Sequence, residues 1–280
     1  MEYYEIEKLT FDSCLFENIE ATYILYLAGS PRIKSIKQQI EKYPLTKTIY
    51  ILHNPGYKKV KKPLPRQNAE ADIAFSHIVA CEFGIKHDHD KIIVLEDDFI
   101  FENVLLEDGV SEEIEKFISQ NPKVDHYFPG CTPFLAFPVT LDTKHWRVIL
   151  GGTTHAIIHT RKGMERMIED YNNNKDDIFG IDLRMFSTGK CYMYQEPLIT
   201  QIFTETENKK TAWGSGDFGK DVSSYVISKF GLDASAQPGF DYIYWWGRSS
   251  FVILSGIAIL LVLLVYWIVK KLVKKESNNK

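Results

Sequence analysis

Cysteine is scarce in this chain: Cys14, Cys81, Cys131 and Cys191 stand far apart, with no C-x-x-C pair among them. That spacing excludes a disulfide framework or a zinc ribbon and reads as buried thiols in a reducing compartment. The opening stretch, MEYYEIEKLTFDSCLFENIEA, is acidic and lacks the apolar core of a signal peptide. No internal repeat is present. Positive charge is also short over most of the chain. Without the six basic and one acidic residues from Arg248 onward, 27 basic residues face 36 acidic ones, a net charge of −9. A body so acidic argues against nucleic acid as a partner. Disorder is excluded as well, because 45% hydrophobic and 13% aromatic residues are ample for a packed core.

One segment departs from globular habits. Phe251 to Val269, FVILSGIAILLVLLVYWIV, carries no charge. As a helix it spans about 28 Å, enough to cross the hydrocarbon of a bilayer. Tyr242, Tyr244, Trp245 and Trp246 precede it, Trp267 lies near its end, and Lys270, Lys271, Lys274 and Lys275 follow. Interfacial aromatics and a lysine stop suit a membrane span better than a core helix. The lysines taken alone would put the tail in the cytosol. The short tail and the missing signal peptide point instead to a C-terminal tail anchor with residues 1–250 in the cytosol. The expected layout is a body over 1–205, a linker or lid over 206–248, a single-pass span over 249–270 and a basic tail over 271–280.

Ahead of the span, strands and helices alternate. ATYILYLAG (21–29), KTIYILH (47–53) and KIIVLED (91–97) read as strands. SPRIKSIKQQIEKY (30–43) and AEADIAFSHIVACEFG (69–84) read as helices, the second closed by Gly84. The stretch NPGYKKVKKPLPRQ (54–67) between them is a basic, Pro-rich loop. This order predicts an α/β sandwich with a mixed, mainly parallel sheet. Further on, a helix at 111–120, strands near 124–130, 147–152 and 154–160, and a helix at 161–171 are expected. Residues 204–240, rich in Gly, Ser, Asp and Lys, read as a mobile linker.

The third strand ends in three consecutive carboxylates, Glu96, Asp97 and Asp98. In open α/β sheets ligands bind beyond the carboxyl ends of the strands. Alternation along a strand puts Glu96 and Asp98 on one side and Asp97 on the other. Such a pair can share a hard cation, Mn²⁺ or Mg²⁺. The competing reading is a solvated turn whose acids cap the next segment.

The combination ADIAFSHIVACEFGIKHDHDKIIVLEDDFIF (71–101) resembles glycosyltransferase family 25, the lipopolysaccharide- and collagen-type sugar transferases. Ala74, Ser76 and His77 match the A-x-S-H helix of that family, and Leu95 to Asp98 match its L-E-D-D strand end. Looser similarity covers VDHYFPG, GGTTHAIIHTRKGMERMIE, IDLRMF (181–186) and EPLITQ (196–201), about residues 20–205 in all. The resemblance implies a GT-A-type nucleotide-sugar fold, a UDP-hexose donor, Mn²⁺ (or Mg²⁺) and inversion at the anomeric carbon. It implies Asp98, with Glu96 or Asp97, as the metal's ligands, His77 beside the donor, against a hydrogen-bonded core histidine, and Asp182 as the base that takes the acceptor's proton, against an N-cap of the helix that follows. The N-L-x-R-x-x-R segment that usually opens the family is replaced by YLAGSPRIK (26–34), where Arg32 and Lys34 are the basic candidates for nucleotide.

Weaker features remain. His155 and His159 share a strand face, and His155 is a candidate third metal ligand, against plain core packing. His87-Asp88-His89 has H-x-H spacing in a charged loop. KKVKKPLPR suits phosphates or acidic lipid heads, or is a solvated loop. WGSGDFG (213–219) suits a lid over bound donor, or a plain linker. The acceptor is a protein, lipid or glycan hydroxyl. The alternative function is a degenerate relative that binds glycan or nucleotide sugar, or scaffolds a membrane, without transfer. Metal-dependent phosphoester hydrolysis would want more clustered His and Asp ligands, and no carboxylate pair suited to a retaining glycosidase is identifiable.

Overall fold

The computed structural model describes residues 3–140, 144–174, 181–202, 224–225, 227–232 and 238–278. The chain opens with β1 (Glu5–Thr10), β2 (Ala21–Leu27), α1 (Ile33–Lys42) and β3 (Thr48–Asn54). Helix α2 (Ala69–Lys86) then leads to β4 (Lys91–Glu96), β5 (Phe99–Phe101) and α3 (Val110–Gln120). After these come β6 (His126–Pro138), β7 (His145–Thr160), α4 (Arg161–Asn173), α5 (Ile181–Thr188), β8 (Cys191–Tyr194) and β9 (Ile199–Gln201). A helix over Pro238–Asn278, here α6, ends the chain.

Seven strands form one sheet in the order β1-β3-β2-β4-β7-β6-β8, and β5 pairs with β9 in a small second sheet. β2 runs parallel to both β3 and β4, and β6 runs parallel to β8. β1 is antiparallel to β3, and β7 is antiparallel to β4 and β6. Five strands (β2, β3, β4, β6, β8) therefore point one way and two point the other. The expected mixed, mainly parallel sheet is what the pairings give.

The run of branched residues in β4 explains its place near the sheet's centre. Ile92, Ile93, Val94 and Leu95 are all fully buried, each contributing about 1.5–3 kcal/mol. Ile92 and Val94 join a core beneath α2, α4 and α5, while Ile93 and Leu95 join a second core beneath α1 and α3. A strand covered on both faces has no reason to alternate polar and apolar residues. Local chemistry starts the helices. Asn68 caps α2 by accepting from the Ala71 N–H at 2.9 Å, and Thr160 caps α4 by accepting from Gly163 N–H at 3.2 Å.

Several boundaries differ from the sequence expectation. Gly84 does not close α2, which continues to Lys86; a Cβ on Gly84 would lie 2.9 Å from the Met164 sulfur and 3.2 Å from Ile92. Its missing side chain lets α2 approach α4 and β4. The two strands expected at 147–152 and 154–160 are one strand, β7, with Thr153 at a positive φ of 58° between them. The acidic N-terminus supplies an edge strand, β1, whose Glu7 meets Lys37 at 2.6 Å and His53 at 3.2 Å. α6 begins at Pro238, so residues 238–248 are its first turns and not a linker. Phe240 and Tyr244 are buried in the core there, as are Ile227 and Leu232 before it.

From Gly239 to Lys271 the helix is long and apolar enough to cross a membrane, by length and composition. Its large apolar side chains from Phe251 to Val269 are exposed. An exposed apolar surface of that extent marks a membrane or protein contact.

Candidate functional site

The chain leaves β2, forms α1 and lays β3 on one side; it then crosses through α2 and lays β4 on the other side of β2. The strand order thus reverses between β2 and β4, the position where open α/β sheets bind ligands at their carboxyl edge. Two features meet at this crevice. The segment after β2 carries Arg32, and the end of β4 carries Glu96, Asp97 and Asp98.

The alternation expected of the acids holds only to Glu96, where β4 ends. A turn then swings Asp97 and Asp98 to the same cation. Arg32 Nη1 donates to Asp97 Oδ1 and stands 3.5 Å from Asp98 Oδ2. Asp97 Oδ2 also accepts from the Leu27 N–H at 3.2 Å, tying the two strand ends together. The backbone beyond is fixed too, because Ile202 N–H donates to the Asp98 carbonyl at 3.0 Å. Instead of the expected Glu96–Asp98 pair, the acids divide into an Asp97–Asp98 pair on Arg32 and a Glu96 facing α2.

Charge at the crevice is unbalanced. Burial, with the charges of Glu96 and Asp97, pushes the Asp98 pKa well above the usual carboxylate range. Burial also raises that of Asp97, against the pull of Arg32. Burial opposes charge on Glu96 as well, yet its hydrogen bond from His77 and the nearby His155 and Thr154 outweigh that and lower its pKa. One oxygen of Asp98, Oδ1, is buried and makes no hydrogen bond. Such an atom is costly unless something polar fills the space before it.

Behind the acids lies a polar wall. His77, fully buried on α2, reaches Glu96 Oε1 through Nε2 at 3.3 Å, and Thr154 Oγ1 donates to the same oxygen at 3.1 Å. His155 sits beside Glu96, but its Nε2 bonds the Ile199 carbonyl at 3.0 Å, leaving only Nδ1 free of hydrogen bonds. His159 does not reach the acids. It pairs with His126, Nδ1 to Nδ1 at 2.9 Å, deeper in the sheet. Ser76 is structural, bonded to Tyr4, Asn54 and the Asp72 carbonyl.

Other candidates fall elsewhere. Asp182 lies on α5, its side chain outside the described residues; Ile181 before it lines a small cavity together with Ile78, the neighbour of His77. The H-x-H loop has ordinary partners: His87 Nδ1 donates to the Phe83 carbonyl at 2.9 Å, and His89 Nδ1 meets Tyr23 Oη at 3.0 Å. WGSGDFG (213–219) lies outside the described residues. The basic loop is not solvated throughout. Lys62 is fully buried, with Nζ on Asp72 Oδ1 and Asn54 Oδ1. Lys61 and Pro63 are exposed while Lys62 and Leu64 are buried, an alternation that the sequence KKPL does not display.

Among the described residues no three His, Cys, Asp or Glu side chains form a metal-holding group. The expected set of Glu96, Asp98 and His155 therefore does not assemble, because His77, Thr154 and the Ile199 carbonyl engage two of its members. Asp98 alone still fits a cation, through its unpaired buried oxygen. A Mg²⁺-type ion on a nucleotide needs no more than one or two carboxylates, since phosphates and water complete its shell.

The chain is thus an α/β protein with an acidic cluster at its topological switch point. No protein-family model and no curated protein matches it. Among solved structures, it is similar to the crystal structure of A197 from STIV (15% identity, TM-score 0.40, covering 68% of this chain and 87% of that one). It is also similar to a glycosyltransferase involved in the glycosylation of the major capsid of PBCV-1 (8% identity, TM-score 0.41, covering 67% and 95%). At that level the likeness extends neither to chemistry nor to family membership.

Proposed function

We propose that the chain is a metal-dependent, inverting glycosyltransferase of GT-A type, anchored to a membrane by α6, that moves a hexose from a UDP-sugar to a hydroxyl acceptor. The observation that carries this reading is Asp98, whose unpaired oxygen lies among three acids and one guanidinium at the switch point. The resemblance of residues 71–101 to glycosyltransferase family 25 supports it.

In this reading Asp98, with Asp97, holds Mn²⁺ or Mg²⁺. The bound ion supplies neutralisation of the charge that develops on the departing UDP. Arg32 offsets charge on both aspartates and stands at the crevice edge to meet donor phosphate. Glu96, kept ionised by His77 and Thr154, positions the α2 wall beside the sugar. Asp182, at the start of α5, takes the proton of the acceptor hydroxyl.

The test uses the full chain in detergent micelles, incubated with UDP-glucose, UDP-galactose and UDP-N-acetyl sugars and Mn²⁺. UDP release is expected with one of them, and Asp98→Asn should lower it at least about a hundredfold. The amide relieves buried repulsion, so the variant should keep or exceed the wild-type Tm. Loss of activity would then not be loss of fold. Absence of release with every donor, with Mn²⁺ or with Mg²⁺ in its place, would overturn the transferase reading.

One observation favours the alternative, a binder without transfer: Arg32 already engages both Asp97 and Asp98. Donor that raises Tm but is never cleaved would select it.

A further inference from the structure

The β6–β7 hairpin carries apolar side chains that face outward. Phe134 is 45% exposed and Leu150 44%; Ile149 next to Leu150, and Val139 just past the end of β6, are exposed as well. A strand pair in water ordinarily turns polar residues outward. Large apolar side chains gathered in the open on one strand pair mark a contact surface.

The position of this face follows from how α6 docks. Tyr244 Oη accepts from the Cys131 N–H at 3.2 Å, and Phe251 meets Phe137 edge to face with ring centroids 4.8 Å apart. Between them Gly247 lies on Pro133, where a Cβ would come within 2.7 Å of the proline ring and carbonyl. As α6 advances from Tyr244 to Phe251, its β6 partner advances from Cys131 to Phe137. Helix and strand therefore travel together and reach Phe251, the first residue of the uncharged run, side by side. The last paired residues of the hairpin, Pro138 and Trp146, follow directly on Phe137 and its contact with Phe251. Interfacial chemistry gathers at the same height. Tyr242, Trp245 and Trp246 are exposed, and the Arg248 guanidinium sits 6.0 Å over the Trp146 ring.

We propose that the β6–β7 hairpin is a second membrane contact, lying in the headgroup–acyl boundary with Phe134, Val139, Ile149 and Leu150 against lipid. The proposal rests on α6 crossing a bilayer. Its consequence is a fixed height for the acid cluster. The Phe240 ring lies 6.0 Å from that of His155, beside Glu96. From Phe240 to Phe251 is about 16 Å of helix. The hairpin contact would stop the body pivoting about α6 and hold the crevice close to the membrane surface.

The experiment is site-directed spin labelling of the full chain in a Cys14→Ser background, the other cysteines being buried. Labels go at Phe134→Cys, Val139→Cys, Leu150→Cys, Leu260→Cys and, on the exposed face of α3, Lys116→Cys. Each variant is reconstituted in phosphatidylcholine–phosphatidylglycerol vesicles and its collisions with oxygen and with an aqueous nickel chelate are compared. The proposal expects the oxygen-to-nickel ratio at positions 134, 139 and 150 to exceed that at 116 several-fold and to approach that at 260. Three positions guard against one variant failing to fold. Ratios at the hairpin equal to that at 116, with 260 in lipid, would overturn the hairpin contact and leave the span standing. A water-exposed 260 would overturn both. Labels shielded from both reagents would assign the face to protein and overturn the lipid contact.

Discussion

Arg32 and Asp97 meet across the carboxyl ends of β2 and β4, a hydrogen-bonded ion pair between residues 65 apart in sequence. Neither belongs to a regular element: Arg32 precedes α1 and Asp97 follows β4. Their pairing closes the switch point and sets a guanidinium against two of the three acids.

Arg32→Ala removes that cation and leaves two carboxylates crowded and largely buried. A loss of roughly 2 kcal/mol is expected, less than for a fully buried pair because the guanidinium side chain is 24% exposed. Mn²⁺ should then restore stability to the variant and raise its Tm by more than it raises that of the wild type. Thermal unfolding with and without Mn²⁺ measures both. A variant indifferent to every divalent ion would count against a cation site at Asp98.

Lys62→Met should be far more damaging than its surroundings suggest. The Lys62 side chain has no exposure and the Asp72 side chain 6%, so the substitution strands a buried carboxylate, at a cost of about 3–5 kcal/mol. The Tyr57 N–H remains on Asp72 at 2.9 Å and softens the loss. Lys61→Met, one residue away and exposed, should change stability little. Adding Asp72→Asn to Lys62→Met should recover most of the difference. Denaturant titration of the three variants decides it, and equal effects at 61 and 62 would contradict the buried pair.

Acid should weaken the fold through its buried histidines. Burial lowers the pKa of His126, and likewise that of His145, from the usual 6.5 to about 4. A group with a depressed folded pKa binds its proton in the unfolded chain first, so its stabilisation is complete above pH 6.5 and is lost as pH falls toward 4. For His126 the loss is roughly 3 kcal/mol over that window. Asp98, raised by burial, acts in the opposite direction, gaining stability as acid neutralises it. The difference in Tm between the wild type and His126→Asn, followed from pH 7 to 4.5, isolates the histidine. That difference should shrink as pH falls, and a constant gap would refute it.

Much of this architecture is legible in local patterns. KIIVLED announces a doubly covered strand because each branched residue must find a core on one face or the other. The helix of residues 69–84 is placed within two residues of its observed end. It runs past Gly84 because the contact with Met164, not a cap, requires glycine there. β1 is less legible, since EIEKLT forms an exposed edge whose acids are met by Lys37 and His53 from elsewhere.

What the sequence determined by itself is the alternation of strands and helices, the apolar C-terminal run and the delivery of three acids to a strand end. These follow from side-chain period and length, which are local properties. Only the tertiary structure decided which acids act together, that Arg32 answers two of them, that Lys62 is buried, and that α6 docks on β6 before it becomes membrane-like. Each of these is a contact between segments far apart in sequence. Their energies come from desolvation and charge pairing at one point in space, and no spacing along the chain records where that point lies.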